Sequence, residues 1–365
     1  MSPAVTTESR EPAPETPIAK RILIGDPLAS QNADEHLLPK RMALPIFASD
    51  ALSSVAYAPQ ELLMILLLGG TAFLFFSPWI AAAVILLLIV VVLSYRQLIK
   101  AYPSGGGDYE VARTNLGEVP GVIVASALLV DYVLTVAVSV ASGVDNIISA
   151  LPVLNTWRVE LAVGFVVLIV IVNLRGVREA SRAFALPTYI FIGSVGLMVL
   201  VGLIRIAAGS PPVASSAQYA VHADSITQAA VILLILRAFS SGCSALTGVE
   251  AVSNGVQAFR RPKVKNAQAT LAAMGTIAAV LFAGLVTLGL VSGVHYAENP
   301  CDLVGFACKT TPQPSLMAQI AAATFGMNSI PFFIIQAATA CVLLLAANTA
   351  FNGFPLLGSV LARDG

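Results

Sequence analysis

The chain has 365 residues, of which 57% are hydrophobic and only 11% are charged. Soluble domains carry about 25% charged residues, so this composition excludes an ordinary soluble protein and predicts an integral membrane protein. Twenty basic and twenty acidic residues cancel, so no excess of positive charge indicates a nucleic-acid partner.

Residues 1–42 are predicted to form a disordered tail, because their first part is rich in Pro, Glu, Ser and Thr and lacks the apolar core of a signal peptide. Apolar runs long enough to cross about 30 Å of hydrocarbon then recur eight times. These predicted segments, numbered one to eight in chain order, lie near residues 43–76, 78–97, 120–150, 159–174, 184–208, 227–255, 267–293 and 329–354. The sequence therefore predicts an all-α membrane protein.

Segment one carries a polar face. Four oxygen-bearing side chains follow the i, i+3, i+4, i+7 spacing of one helix face: Asp50, Ser53, Ser54 and Tyr57. A carboxylate at the centre of a bilayer costs about 2.5 to 3.5 kcal/mol, so it normally faces a cavity, a partner or a pathway. Because Pro45 and Pro59 bracket the stretch and proline frees backbone carbonyls, we predict a discontinuous helix with a polar site. The alternative is that Asp50 caps a helix just outside the membrane.

Segments three and six carry comparable polar stripes at a spacing of three or four residues. The stripe in segment three consists of Asp131, Thr135, Ser139 and Ser142, with Tyr132 beside it. The stripe in segment six consists of Cys243, Thr247, Glu250 and Asn254. Hydroxyl groups alone can join helices through hydrogen bonds of about 0.6 kcal/mol, but one acid on each of three spans favours a shared polar site.

Segments one and six are both interrupted by small and polar residues, as expected for corresponding helices of two inverted repeats. This symmetry predicts a first five-helix repeat at residues 43–208 and an incomplete second repeat at 227–365. It also predicts that the substrate binds between segments one and six. Three roles are open for Arg237 in segment six: an ion-pair partner, an external gate, or a side chain that snorkels to the outer face.

The basic residues predict the orientation of the segments. With the loops assigned alternately, sixteen of the twenty basic residues fall on one side and three on the other, while Arg237 lies inside segment six. This asymmetry places the N-terminus in the cytoplasm and the loops at 209–226 and 294–328 outside the cell. Cys301 and Cys308 share the second of these loops, where a disulfide and two free thiols are both open.

The donor groups favour a cation as the ligand. Carboxylate, hydroxyl and carbonyl oxygens suit a hard cation that sheds its water, whereas an anion prefers glycine-rich backbone N–H groups, which segment one lacks. Glu250, close to Gly248, is a candidate proton carrier. The sequence has no phosphate-binding loop, nucleophile elbow or potassium-channel filter, and its three histidines are scattered, so it indicates neither an enzyme nor a cofactor.

Several of these stretches resemble the KimA type of the KUP potassium transporters, in the amino acid-polyamine-organocation superfamily. The matching stretches are residues 49–58, 102–109, 129–139, 173–177 and 241–250. The resemblance runs from about Leu44 to the C-terminus, and it implies a LeuT-type fold and proton-coupled potassium uptake in the cell membrane. It implies a set of potassium-binding residues: Asp131, Thr135, Ser139, Thr247, Tyr57 and Tyr132. It also assigns gating or proton coupling to Asp50 and Glu250.

Members of this family have further helices and a cytoplasmic C-terminal domain, so the chain is expected to be a fragment of a homodimeric protein in the lipid bilayer. The leading hypothesis is a proton-coupled potassium transporter that works by alternating access. A second hypothesis is an amino acid or polyamine permease, because a polyamine also accepts three acids. A third hypothesis, from another class, is a membrane sensor that binds a cation without moving it.

Overall fold

The computed structural model describes residues 37–103, 107–174, 181–221 and 228–364. Within them the chain forms eleven α-helices: α1 (Lys40–Leu67), α2 (Ser77–Ala101), α3 (Gly107–Leu116), α4 (Glu118–Ala150), α5 (Arg158–Leu174), α6 (Ser181–Ala207), α7 (Gln228–Gly242), α8 (Ala251–Asn254), α9 (Lys263–Val291), α10 (Leu316–Phe325) and α11 (Ile330–Asp364). Two short strands, β1 (Ala220–Val221) and β2 (Leu303–Val304), pair antiparallel. Residues 1–36 of the predicted tail lie outside the described residues, and helix α1 begins slightly before the predicted end of that tail.

Seven stretches of helix in the described residues are long and apolar enough to cross a membrane: Thr71–Ala101, Glu118–Ala150, Pro152–Leu174, Ala185–Ala207, Ala229–Asn254, Lys263–Val291 and Ile330–Arg363. They correspond to segments two to eight and confirm an all-α membrane protein. Helix α1 does not meet the same apolar criterion, because Asp50, Glu61 and several hydroxyl side chains lower its hydropathy.

Helix α1 is nevertheless the centre of the bundle. It packs against α6, α7, α9 and α11, and its leucines Leu52, Leu62 and Leu66 are completely buried. Helices in a bundle can bury polar side chains that lipid would reject, because neighbouring helices supply the hydrogen-bonding partners. The polar residues of α1 are therefore enclosed by protein.

The predicted discontinuity of segment one is wrong, because α1 runs without a break from Lys40 to Leu67 and contains both Pro45 and Pro59. A proline inside a helix leaves the carbonyl four residues earlier without its usual donor. The carbonyl of Arg41, freed in this way by Pro45, accepts a hydrogen bond from the Tyr189 hydroxyl of α6 at 2.9 Å. Since α1 begins ten residues before Asp50, this carboxylate is not a helix cap either.

Segment six is interrupted as predicted. Helix α7 ends at Gly242, a 3-10 turn spans Cys243–Leu246, and the backbone is extended at Thr247. Gly248 has a φ of +78°, a left-handed conformation that glycine adopts without a steric penalty. The short helix α8 then continues the segment. The interruption therefore exposes backbone and side-chain oxygens beside α1.

We name the two ends of the bundle after their side chains. The basic end is the one where the residues around the start of α1 meet those after α8, and the disulfide end is the one that carries Cys301 and Cys308. At the basic end, the residues before α1 are tied to those after α8: Leu38 donates its N–H to the Ala258 carbonyl at 2.8 Å, and the rings of Phe47 and Phe259 stack at 5.2 Å. At the disulfide end, Cys301 and Cys308 form a disulfide bond beside the β1–β2 pair. The division of the chain into two repeats stays a prediction.

Candidate functional site

A chain of hydroxyl groups joins α1 to the interruption of segment six. The Tyr57 hydroxyl donates to Ser54 Oγ at 3.2 Å, Ser54 Oγ lies 2.5 Å from Thr247 Oγ1, and Thr247 Oγ1 donates to the Ser244 carbonyl at 3.0 Å. Each hydroxyl has one proton and two lone pairs. Because Ser54 Oγ can also donate to the Asp50 carbonyl at 3.1 Å, its single proton is shared between that carbonyl and Thr247.

Gly248 allows the two elements to approach closely. A Cβ atom at this position would lie 2.6 Å from the Asp50 Cβ and 2.7 Å from the Ala51 backbone nitrogen. Both distances are shorter than real Cβ contacts, and the second neighbour is rigid backbone. The absent side chain of Gly248 therefore sets the distance between α1 and the broken segment.

Acids on three elements interact electrostatically in the region of this contact. Asp50 of α1 is buried, and its Oδ1 atom has no hydrogen-bond partner in the described part of the chain. Its negative charge interacts electrostatically with that of Asp131 on α4 and with that of Glu250 just before α8. Like charges enclosed by apolar helices repel unless a counter-ion or a proton joins them. The arrangement therefore calls for a cation or protons.

Helix α4 carries the other predicted ligands. Thr135 and Ser139 are buried on the same helix as Asp131, and Ser139 Oγ has no partner among the described residues. The Tyr132 ring packs on Gly353 of α11, where a Cβ atom would lie 2.9 Å from its Cζ. Ser54, Tyr57 and Thr247 are joined by hydrogen bonds. Within the described residues, no hydrogen bond joins Thr135, Ser139 or Tyr132 of α4 to them, so their part in the site stays a prediction.

The oxygen-rich donor set can coordinate a hard, weakly bound cation. Alkali cations take carboxylate, hydroxyl and carbonyl oxygens, and the unpartnered Asp50 Oδ1 and Ser139 Oγ are two such oxygens. No group of three or more His, Cys, Asp or Glu side chains in the described residues is arranged to hold a metal such as zinc. The unpartnered oxygens are of the type that a hard cation binds.

The surroundings of the Arg237 side chain differ from those of the acids. Its side chain is exposed on the outer surface of α7, between the exposed apolar residues Leu233 and Leu236 and the exposed Ser240, and it forms no ion pair with a described residue. This position favours the snorkelling alternative over an ion pair with Glu250.

The sequence did not identify two parts of the site. Ser54 was recognised only as part of a polar face, although it forms the contact with Thr247. At the basic end, Tyr95 of α2 donates to both carboxylate oxygens of Asp108 on α3 at 2.9 and 2.8 Å. Asn254 of α8 lies directly against Gly107.

Replacing Tyr95 with phenylalanine is expected to raise the pKa of Asp108. Burial already raises the pKa of this carboxyl, and the hydrogen bond from Tyr95 partly offsets that rise. Because the folded-state pKa is raised, this carboxyl favours the folded state most below its ordinary pKa, and the contribution is lost as pH rises through the raised value. Infrared titration of the carboxyl band, with Asp108→Asn to assign it, measures the shift; an unchanged midpoint would contradict the prediction.

Comparisons with known proteins identify the family of the chain. The family model described as "Amino acid permease" matches residues 44–365. Over 347 residues the chain is 45% identical to the potassium transporter KimA of Bacillus subtilis (strain 168), an alignment that covers 94% of this chain and 54% of that relative. The chain thus spans about half the length of the curated relative it matches.

Proposed function

Because the chain belongs to the amino acid permease family, we propose that it is a secondary transporter that takes up potassium together with protons by alternating access. The similarity to a potassium transporter supports potassium as the ion. The basic end faces the cytoplasm, the disulfide end faces outward, and the protein works as a homodimer in the plasma membrane.

The observation that carries this proposal is the buried Asp50 carboxylate, whose Oδ1 has no hydrogen-bond partner in the described chain, beside two further acids. An unpaired carboxylate in a low-dielectric interior is costly. A cation bound nearby or the coupled proton removes that cost and leaves again when the site opens. A substrate carboxylate, in contrast, would add a fourth negative group to the same space.

The residues divide into two groups in this proposal. The potassium ligands are Asp131, Thr135, Ser139, Thr247, Tyr57 and Tyr132. Asp50 and Glu250 gate the site or carry the coupled proton. Glu250 suits the second role because it lies where the broken segment turns into α8, and its charge interacts with those of Asp50, Asp108 and Asp131.

An inward proton gradient is expected to accelerate rubidium uptake several-fold in vesicles that contain the protein, and Glu250→Gln is expected to abolish the acceleration. Rubidium reports on potassium because the two ions have similar size and charge. Glu110→Gln, an exposed acid of α3, is the matched control and should behave as wild type. Uptake by wild type that ignores the proton gradient would contradict proton coupling, and absence of uptake would contradict cation transport.

A polyamine permease is the second candidate, since the three acids also suit a multiply charged organic cation. An amino acid permease is a further form of this candidate, because the family description names amino acids. Competition separates these candidates. Excess putrescine or a mixture of amino acids should leave rubidium uptake unchanged if potassium is the substrate. Accumulation of labelled putrescine would favour the second candidate.

A further inference from the structure

A second polar feature lies at the disulfide end, outside the site described above. It is a cavity of about 200 Å³. Charged side chains of both signs line it, together with a tyrosine: Asp145, Arg158, Glu298, Lys309 and Tyr296. Burial raises the pKa of Tyr296 to about 12, so this phenol is neutral at physiological pH and the four charged groups define the electrostatics of the cavity.

An ion pair between Arg158 and Asp145 closes one side of the cavity. The side chain of Arg158 is 55% exposed and that of Asp145 is 22% exposed, so water reaches both partners. Ion pairs this accessible are weak and exchange readily with dissolved ions. Asp145 also interacts electrostatically with Glu61 of α1, which in turn interacts with Glu298, so the cavity attracts positive charge when Arg158 moves away.

Helix α4 connects this cavity with the site. Asp145 follows Asp131 by about four helical turns, or about 21 Å, and lies on nearly the same helix face. Thr135, Ser139 and Ser142 lie between the two acids on that face. Ser139 is completely buried, and its hydroxyl has no partner among the described residues. A row of oxygen atoms thus leads inward from the cavity.

The N-terminus of α10 is hydrogen-bonded to both α4 and α1. Ser315 donates its hydroxyl to Asn146 Oδ1 at 3.1 Å and its N–H to Ser149 Oγ at 3.0 Å, both on α4. Leu316 donates its N–H to Gln60 Oε1 of α1 at 2.8 Å. Gln60 lies about one turn beyond Tyr57. The N-terminus of α10 therefore joins α4 to α1 close to the helix turn that carries Tyr57.

We propose that this cavity is an outer vestibule for the transported monovalent cation, and that Arg158 acts as a tethered cation on Asp145 until an arriving ion displaces it. The inference rests on the proposed function and deepens it, because it names a second cation-binding position on the same route. Asp145 raises the local concentration of the ion in the cavity. The strength of the ion pair between Arg158 and Asp145 sets the ion concentration that is needed to displace Arg158.

The test measures the rubidium concentration that gives half-maximal uptake, at low ionic strength and with the amount of protein in the membrane quantified for every variant. Arg158→Gln is expected to lower this concentration about threefold, because freeing a carboxylate raises the local cation concentration. Arg158→Lys keeps the charge and should resemble wild type. Lys309→Gln removes the same charge from the same cavity without freeing Asp145, and it is the matched control.

A double variant separates this role from a structural one. Asp145→Asn should raise the half-maximal concentration, and in that background Arg158→Gln should have no further effect, because the two residues act on one interaction. The proposal would be overturned if Lys309→Gln lowered the half-maximal rubidium concentration as much as Arg158→Gln does. It would also be overturned if Arg158→Gln changed only the maximal rate of uptake. An Arg158→Gln protein with wild-type half-saturation would overturn it as well, whereas absence of uptake by the wild type would overturn the proposed function itself.

Discussion

Asp131→Asn is expected to reduce potassium uptake by about a hundredfold or more, because it removes the negative charge that α4 contributes to the site. A unit charge about 4 Å from a carboxylate gains about 4 kcal/mol at an effective dielectric constant of 20, and every 1.4 kcal/mol corresponds to about a factor of ten. The amide keeps the shape of the side chain, so the change isolates the charge. Growth of a bacterium that lacks its own potassium-uptake systems, on low-potassium medium, measures the loss.

Glu118→Gln is the matched control for this experiment. It neutralises an acid on the same helix, but Glu118 lies exposed in the first turn of α4. Cells that carry this control should grow as well as wild type. If the Asp131→Asn protein reaches the membrane and still supports growth, Asp131 is not a potassium ligand and the assignment of α4 to the ion site is wrong.

Gly248→Ala should strongly reduce transport and lower the thermal stability of the protein. Alanine at a φ of +78° costs about 1 kcal/mol in backbone energy, and its Cβ would lie 2.7 Å from the backbone nitrogen of Ala51. The chain can relieve this clash only by moving the broken segment away from α1, which separates Thr247 from Ser54. We expect a loss of at least about tenfold in uptake, measured with rubidium, and a lower unfolding midpoint in detergent.

Gly164→Ala provides the comparison, because a Cβ at Gly164 in α5 would meet nothing within 4 Å. Alanine is the better helix former by about 1 kcal/mol, so this variant should be as stable as wild type or more stable. Normal rubidium uptake by the Gly248→Ala protein would show that the close approach of the two elements is not needed for transport.

The sequence predicted the features that depend on local patterns. Long apolar runs identified seven of the spans, and the small and polar residues of segment six predicted its interruption. The spacing of Asp131, Thr135 and Ser139 predicted that they share one side of α4. The assignment of these residues to an ion site stays a prediction that the variants above test.

Features that depend on distant contacts could not be predicted in this way. In the continuous segment one, the Tyr189 hydroxyl on α6 satisfies the carbonyl that Pro45 frees, and no pattern within segment one contains that information. The pairing of Ser54 with Thr247 joins residues from different halves of the chain. Helix α10 lies in a region predicted only as an external loop, because its apolar run of ten residues is too short to indicate a span.

The polar character of α1 also bears on how the protein enters the membrane. A helix that carries Asp50 and Glu61 gains little free energy from hydrocarbon on its own, yet its leucines are buried by α6, α7, α9 and α11, which are synthesised later. Stable insertion of α1 must therefore wait until these helices surround it. The apolar helix α2, with Arg96 and Lys100 at its end, can fix the topology in the meantime, and α1 reaches its final position only after the later segments have been synthesised.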